Sequence, residues 1–150
     1  MYKTPYLKTI CDQNARLEVF VNTPNLSNET LAKVNHSLAL CSHLLDELLY
    51  LKPDTTGYID HILADLVKRV DSLPAVVQHR GITAEICKCP QGYACTVRDA
   101  HNNDLRWYVN ANSMPQAVAV SERYFDAAIA CLRGFTTTGE FYGRMHGYCV

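Results

Sequence analysis

The sequence ITAEICKCPQGYACTVRDAHNNDLRWYV, residues 82–109, alternates apolar and polar side chains in three short runs. A period of two is typical of β-strands that bury one face. The intervening segments CPQG and DAHNND carry the proline, glycine, aspartate and asparagine residues that favour turns. This stretch therefore predicts a three-stranded antiparallel meander, and its apolar face requires a helix as cover.

Two helices are predicted before the meander. Residues 27–51 begin with Ser27, a suitable N-cap, and continue with apolar side chains at spacings of three and four. Residues 58–73 repeat this pattern and end before Pro74, so the intervening KPDTTG predicts the turn of an antiparallel αα-hairpin. The heptad-like spacing in residues 27–51 is explained by packing within the chain, and a homodimer through the same helix is the alternative.

A β-hairpin is predicted at the N-terminus. Residues 6–24, YLKTICDQNARLEVFVNTP, hold two apolar runs around the polar DQN. Leu17, Val19 and Val21 alternate with other side chains, as in a half-buried strand. We therefore expect these three residues to share one buried face.

A last helix is predicted after the meander. Ser113 is a suitable N-cap for it, and Gly134 follows its last apolar position. We expect this helix to pack on the apolar face of the meander. The summed order β-β-α-α-β-β-β-α predicts an α+β fold, with residues 1–134 as a single domain and residues 135–150 as a tail rich in glycine and aromatic residues.

The last five predicted elements, α-β-β-β-α, resemble double-stranded-RNA-binding domains in their order. Those domains contact phosphates with lysines at the start of their last helix, whereas residues 113–123 read SMPQAVAVSER. The resemblance therefore implies an order of elements and does not extend to the residues that would bind RNA.

Composition narrows the class of protein. The chain has 150 residues and a formal net charge of −1, without the basic excess of proteins that bind nucleic acid mainly through phosphates. No apolar run approaches the roughly 20 residues that span a bilayer, and the N-terminus has no secretory-signal pattern. We therefore expect a cytoplasmic protein with reduced cysteines and no contact with a membrane.

Cys87, Cys89 and Cys95 are the candidate metal ligands. Structural zinc requires four ligands that converge in a tetrahedron. If CPQG turns the chain, Cys95 lies opposite Ile86, and Cys87 then points to the other face of the sheet. The sequence therefore predicts no metal, no cofactor and no catalytic residues, and an uncharacterised enzyme or zinc protein using these three cysteines stays as an alternative.

The outer face of the meander is the first candidate binding surface. If Val97 pairs with Trp107, Arg98 lies directly across from Arg106, and opposed like charges are unfavourable unless something offsets them. A solvated sheet face is the simpler interpretation, and a face that binds an anion or a partner is the alternative. The candidate residues on this face are Arg98, Arg106, Tyr108 and Glu85.

The tail is the second candidate surface. Its end, EFYGRMHGYCV, is more aromatic than disordered tails usually are. The tail is expected either to fray or to dock on its own domain or a neighbour. The candidate residues in it are Tyr142, Arg144 and Tyr148.

These observations favour a non-enzymatic module that binds another protein. Small phage or mobile-element proteins that inhibit a host macromolecular complex in anti-defence are the class-level example of such a role. The first alternative is a nucleotide or nucleic-acid binder that uses Arg98, Arg106 and Tyr108 for stacking and phosphate contact.

Overall fold

The structure, a computed structural model, describes residues 3–51 and 56–145 and confirms the predicted α+β class. Three helices precede a four-stranded sheet in the described residues, and three further helices follow it. The elements are α1 (Lys3–Val21), α2 (Asn28–Leu49), α3 (Thr56–Asp71), β1 (Ala75–His79), β2 (Ile82–Cys89), β3 (Gly92–Arg98), β4 (Asp104–Val109), α4 (Met114–Glu122), α5 (Phe125–Leu132) and α6 (Thr138–Met145).

Contacts between residues divide the chain into two compact units. The helical unit comprises Met1–Thr23 and Ser27–Leu73, and the sheet unit comprises Pro24–Leu26 and Pro74–Val150. Each unit has its own hydrophobic core. The single domain expected over residues 1–134 stays a prediction.

In the helical unit, α1, α2 and α3 contact one another around a shared apolar core. The Ser27 hydroxyl caps α2 by accepting a hydrogen bond from the N–H of Thr30 at 3.2 Å, at the predicted N-cap. Leu17, Leu44 and Leu66, one from each helix, are fully buried. The contact between α2 and α3 agrees with the predicted αα-hairpin, whose turn residues 52–55 lie outside the described part of the chain.

The predicted N-terminal β-hairpin is wrong, because this segment is the helix α1. Its buried side chains are Ile10, Gln13 and Leu17, which follow the helical spacing of three and four. Val19 and Val21 are 60% and 58% exposed, although the hairpin placed them on the same face as Leu17. The local alternation of apolar residues was therefore misleading, since packing against α2 and α3 selects the helical period instead.

The heptad-like seam of α2 is partly used inside the helical unit. Val34, Cys41 and Leu48 are buried, whereas Leu31 and Leu45 are 40% and 42% exposed. Seven-residue spacing therefore places one row of the seam in the core, whereas in the other row Leu38 is partly buried against that core and the two outer leucines are exposed. The homodimer through residues 27–51 stays a prediction.

In the sheet unit, the strand order is β1-β2-β3-β4 and every pair is antiparallel. The meander is thus present, and β1 adds a fourth strand to it. Arg80 and Gly81 connect β1 to β2 with φ values of 46° and 86°, the left-handed conformations that a tight hairpin turn uses. Ile86 pairs with Cys95, as the sequence predicted.

Aromatic packing covers the apolar face of the sheet. Trp107 is 1% exposed, and its ring centroid lies 6.4 Å from that of Phe125 and 5.2 Å from that of Phe141. The predicted last helix is present as two helices, α4 and α5, with Ser113 accepting the capping hydrogen bond from the N–H of Gln116. The described part of the tail, which ends at Met145, docks on its own unit. Its helix α6 inserts Phe141 into this core.

The corrected N-terminus gives a direct test. We expect Leu17→Ala to lower the free energy of unfolding by about 2–5 kcal/mol, because it leaves a cavity in the core of the helical unit. Val19→Ala should change it by less than about 0.5 kcal/mol, because Val19 is largely exposed. Urea denaturation followed by circular dichroism measures both. Equal losses would support the hairpin, in which the two side chains share one face.

Candidate functional site

The loop between β3 and β4 sets the register of the sheet's last hairpin. The Asp99 carboxylate accepts hydrogen bonds from the N–H groups of His101 and Asn103, at 3.0 Å and 2.9 Å. Although desolvation opposes it, hydrogen bonding from Asn103 and His101 holds the pKa of Asp99 below its ordinary value. Asn102 takes a φ of 66°, which closes the short loop. This loop chemistry makes Asp104 the first residue of β4.

Arg98 consequently lies across from Asp104, so the predicted pairing of Arg98 with Arg106 is wrong by two residues. The Arg98 guanidinium donates to the Asn102 side-chain oxygen at 2.7 Å and forms an ion pair with Asp104 at 3.4 Å. Its side chain is only 18% exposed. Arg98 is therefore bound within the hairpin, and an aspartate rather than a second arginine lies opposite it.

Arg106 and Tyr108 project together from the outer face of β4. The strand alternates between exposed even-numbered residues and buried odd-numbered ones. The central carbon of the Arg106 guanidinium lies 5.5 Å from the centroid of the Tyr108 ring, in the range of a cation–π contact. Tyr108 is 54% exposed, so a large part of its ring is accessible.

Tyr142 of α6 reaches the edge of β4 at Arg106. Its hydroxyl donates a hydrogen bond to the backbone carbonyl oxygen of Arg106 at 2.6 Å. The adjacent Phe141 anchors α6 in the core against Trp107, which brings Tyr142 to the strand. We call Arg106, Tyr108 and Tyr142 the β4 patch. It unites residues from the two surfaces that the sequence predicted separately, the outer face of the meander and the tail.

The other candidate binding residues lie elsewhere. Glu85 pairs with Thr96 on the outer face of β2 and is only 8% exposed. Arg144 is exposed in the last turn of α6. Tyr148 lies outside the described residues.

The three cysteines of the zinc alternative do not converge. Cys95 is fully buried on the core side of β3, whereas Cys87 and Cys89 lie on the outer side of β2. Burial raises the pKa of the Cys95 thiol to about 12, against an opposing effect of the Ser121 hydroxyl. Across residues 3–51 and 56–145, no three histidine, cysteine or acidic side chains are grouped so as to hold a metal ion.

One polar cluster was not found from the sequence. His79 Nε2 and Arg80 lie 3.0 Å and 3.2 Å from the same oxygen of Asp126. The hydrogen bond from His79, reinforced by the charge of Arg80, holds the pKa of Asp126 below its ordinary value. The cluster ties the turn after β1 to α5, and its members are too far apart in the chain for spacing to reveal it.

Comparison of the chain with protein-family models, with curated proteins and with solved structures found no match. Among the helices that the structure describes, none has the length and apolar character needed to cross a membrane. The β4 patch is therefore the feature from which a function is proposed below.

Cysteine accessibility gives the second test. We expect iodoacetamide at pH 8 to label Cys11 in the folded protein and to spare Cys95, because Cys11 is exposed whereas Cys95 is buried and almost entirely protonated. Denaturation should make both thiols reactive. Mass spectrometry of digested samples, with and without denaturant, measures the labelling at each site. Native labelling of Cys95 at the rate of Cys11 would contradict the inward-facing register of β3.

Proposed function

We propose that this chain is a non-enzymatic protein-binding module that contacts its partner through the β4 patch. The observation that carries the proposal is the clustering of an exposed arginine and two accessible tyrosines at one end strand of the sheet. Arginine and tyrosine are enriched among the residues that contribute most to protein–protein affinity. The patch therefore has the chemistry of an interaction hot spot.

The patch is held in place before binding. The Tyr142 ring is positioned by Phe141, whose ring centroid is 5.4 Å away and which is itself buried in the core. A tyrosine ring that is already held by packing loses less conformational entropy when a partner binds. The ordered ring therefore favours binding to a protein partner.

The charge of Arg106 is available to a partner. Within the described residues, no carboxylate forms an ion pair with it, whereas Asp104 neutralises Arg98. Guanidinium groups bind carboxylates through paired hydrogen bonds, so the partner surface should present an acidic side chain. The nucleic-acid alternative has weaker support, because one of its two arginines is committed to the hairpin and the net charge is −1.

We extend the proposal to the cellular role. The module acts in the cytoplasm and blocks a host macromolecular complex, in the manner of small phage or mobile-element proteins that counter host defence. A small module with an exposed hot-spot patch can act by occupying a surface that another protein needs. The partner's identity is the test of this part.

Capture of a partner tests the proposal. The tagged chain would be recovered from lysate of the cells that naturally produce it, and the affinity of the recovered partner for each variant measured. We expect Arg106→Ala and Tyr108→Ala each to weaken binding about tenfold or more, because each removes a hot-spot side chain. Arg123→Ala and Tyr50→Ala are matched controls, since both residues are exposed outside the patch.

Two outcomes would reject the protein-binding proposal. Equal binding by the patch variants and the controls would show that the β4 patch is not the interface. Loss of the captured material on nuclease treatment, together with a steep fall in binding with added salt, would favour the nucleic-acid alternative. Thermal melting of each variant verifies that the fold is intact.

A further inference from the structure

Strand β4 ends the sheet. Its neighbour on one side is β3, and residues 3–51 and 56–145 contain no strand on its other side. An edge strand presents a row of backbone N–H and C=O groups that can pair with another chain. Only every second residue of an edge strand turns its N–H and C=O groups to the open side.

Two hydrogen bonds show which residues of β4 turn their backbone groups to the open side. The N–H of Asp99 donates to the carbonyl of Asn103 at 3.0 Å, so these two residues form a hydrogen-bonded pair across the hairpin. In an antiparallel ladder every second pair of opposed residues is hydrogen-bonded in this way. Leu105 and Trp107 therefore point their backbone groups toward β3, and Arg106 points them away. The hydrogen bond from Tyr142 to the Arg106 carbonyl agrees, since it comes from outside the sheet.

The backbone groups and the side chains of Arg106 and Tyr108 thus lie at one margin of the sheet. Arg106 and Tyr108 turn their N–H and C=O groups toward the open edge and their side chains toward the outer face. An added strand would bond to that backbone and pass directly beside both side chains. Recognition by main chain and by side chain would then occur together.

We propose that the partner binds by adding an extended segment to the edge of β4, with a carboxylate of that segment paired to Arg106. This inference rests on the proposed protein-binding function and specifies its geometry. The acidic residue follows from charge, because Arg106 has no carboxylate partner among the described residues. The extended conformation follows from the ladder that the Arg106 and Tyr108 backbones offer.

Tyr142 acts as a built-in competitor for this edge. Its hydroxyl occupies the Arg106 carbonyl oxygen, which an N–H of the incoming strand would use. The incoming segment must therefore replace that hydrogen bond. Tyr142→Phe keeps the ring against Phe141 and removes only the competing donor, so it should tighten binding.

A phage-displayed library of random dodecapeptides, selected on the full chain, is the probe. We expect enrichment of proline-poor sequences that alternate β-branched residues and contain Asp or Glu. A selected peptide would be synthesised with a fluorophore and its Kd measured by polarisation. Arg106→Ala should weaken binding about tenfold, and Tyr142→Phe should tighten it about threefold to fivefold.

Proline separates main-chain from side-chain recognition. Tyr108→Ala removes the side chain, and Tyr108→Pro also removes an N–H that faces the open edge rather than β3. We expect the Pro variant to bind the peptide at least about fivefold more weakly than the Ala variant. Gln78→Ala and Gln78→Pro are the matched pair on β1, the opposite edge strand, and should bind the peptide equally.

Amide exchange on the unmodified chain gives an independent readout if the Pro variant does not fold. We expect the N–H groups of Arg106 and Tyr108 to exchange about tenfold more slowly when the peptide is bound, as measured by NMR. Unchanged exchange at both sites would overturn strand addition, as would equal Kd values for Tyr108→Ala and Tyr108→Pro. Selection of no peptide at all would also overturn it.

Failure of this inference differs from failure of the proposed function. If the captured partner depends on Arg106 and Tyr108 side chains but Tyr108→Pro binds it as Tyr108→Ala does, the β4 patch is an interface without an added strand. If binding of the captured partner depends on neither side chain, the β4 patch is not the interface, and the proposed function fails together with this inference. Selected peptides that consist of the chain's own β4 sequence would instead indicate pairing between two copies.

Discussion

The packing of Trp107 is the contact on which the rest of the sheet unit depends. Its indole is almost fully buried between the rings of Phe125 and Phe141. Removing an aromatic side chain of this size from a core typically costs about 3–5 kcal/mol, so the orientation of β4 is strongly specified. Because neighbouring residues of a strand point to opposite faces, an inward Trp107 forces Arg106 and Tyr108 outward.

The same contact positions the tail. Phe141 enters the core against Trp107, and the next residue, Tyr142, reaches the carbonyl of Arg106. The candidate interface is therefore built outward from the core. A surface with this support keeps its arrangement in the absence of a partner, which is the property that the protein-binding proposal uses.

A second constraint acts at the other end of β4. The hydrogen bonds from His101 and Asn103 to Asp99 determine where the loop ends, and the loop places Arg98 across from Asp104. One of the two arginines predicted for the outer face, Arg98, is therefore ion-paired within the hairpin. Of the two arginines predicted for this face, only Arg106 has no ion-pair partner among the described residues.

The sequence by itself determined the meander, the pairing of Ile86 with Cys95 and the caps at Ser27 and Ser113, because alternation, turn residues and capping act over a few neighbours. Tertiary structure decided the rest. It made residues 3–21 a helix although apolar residues alternate locally, because packing on the neighbouring helices stabilises side chains spaced three and four residues apart. It also joined Tyr142 to Arg106, 36 residues apart, because that approach follows from aromatic burial rather than from any local pattern.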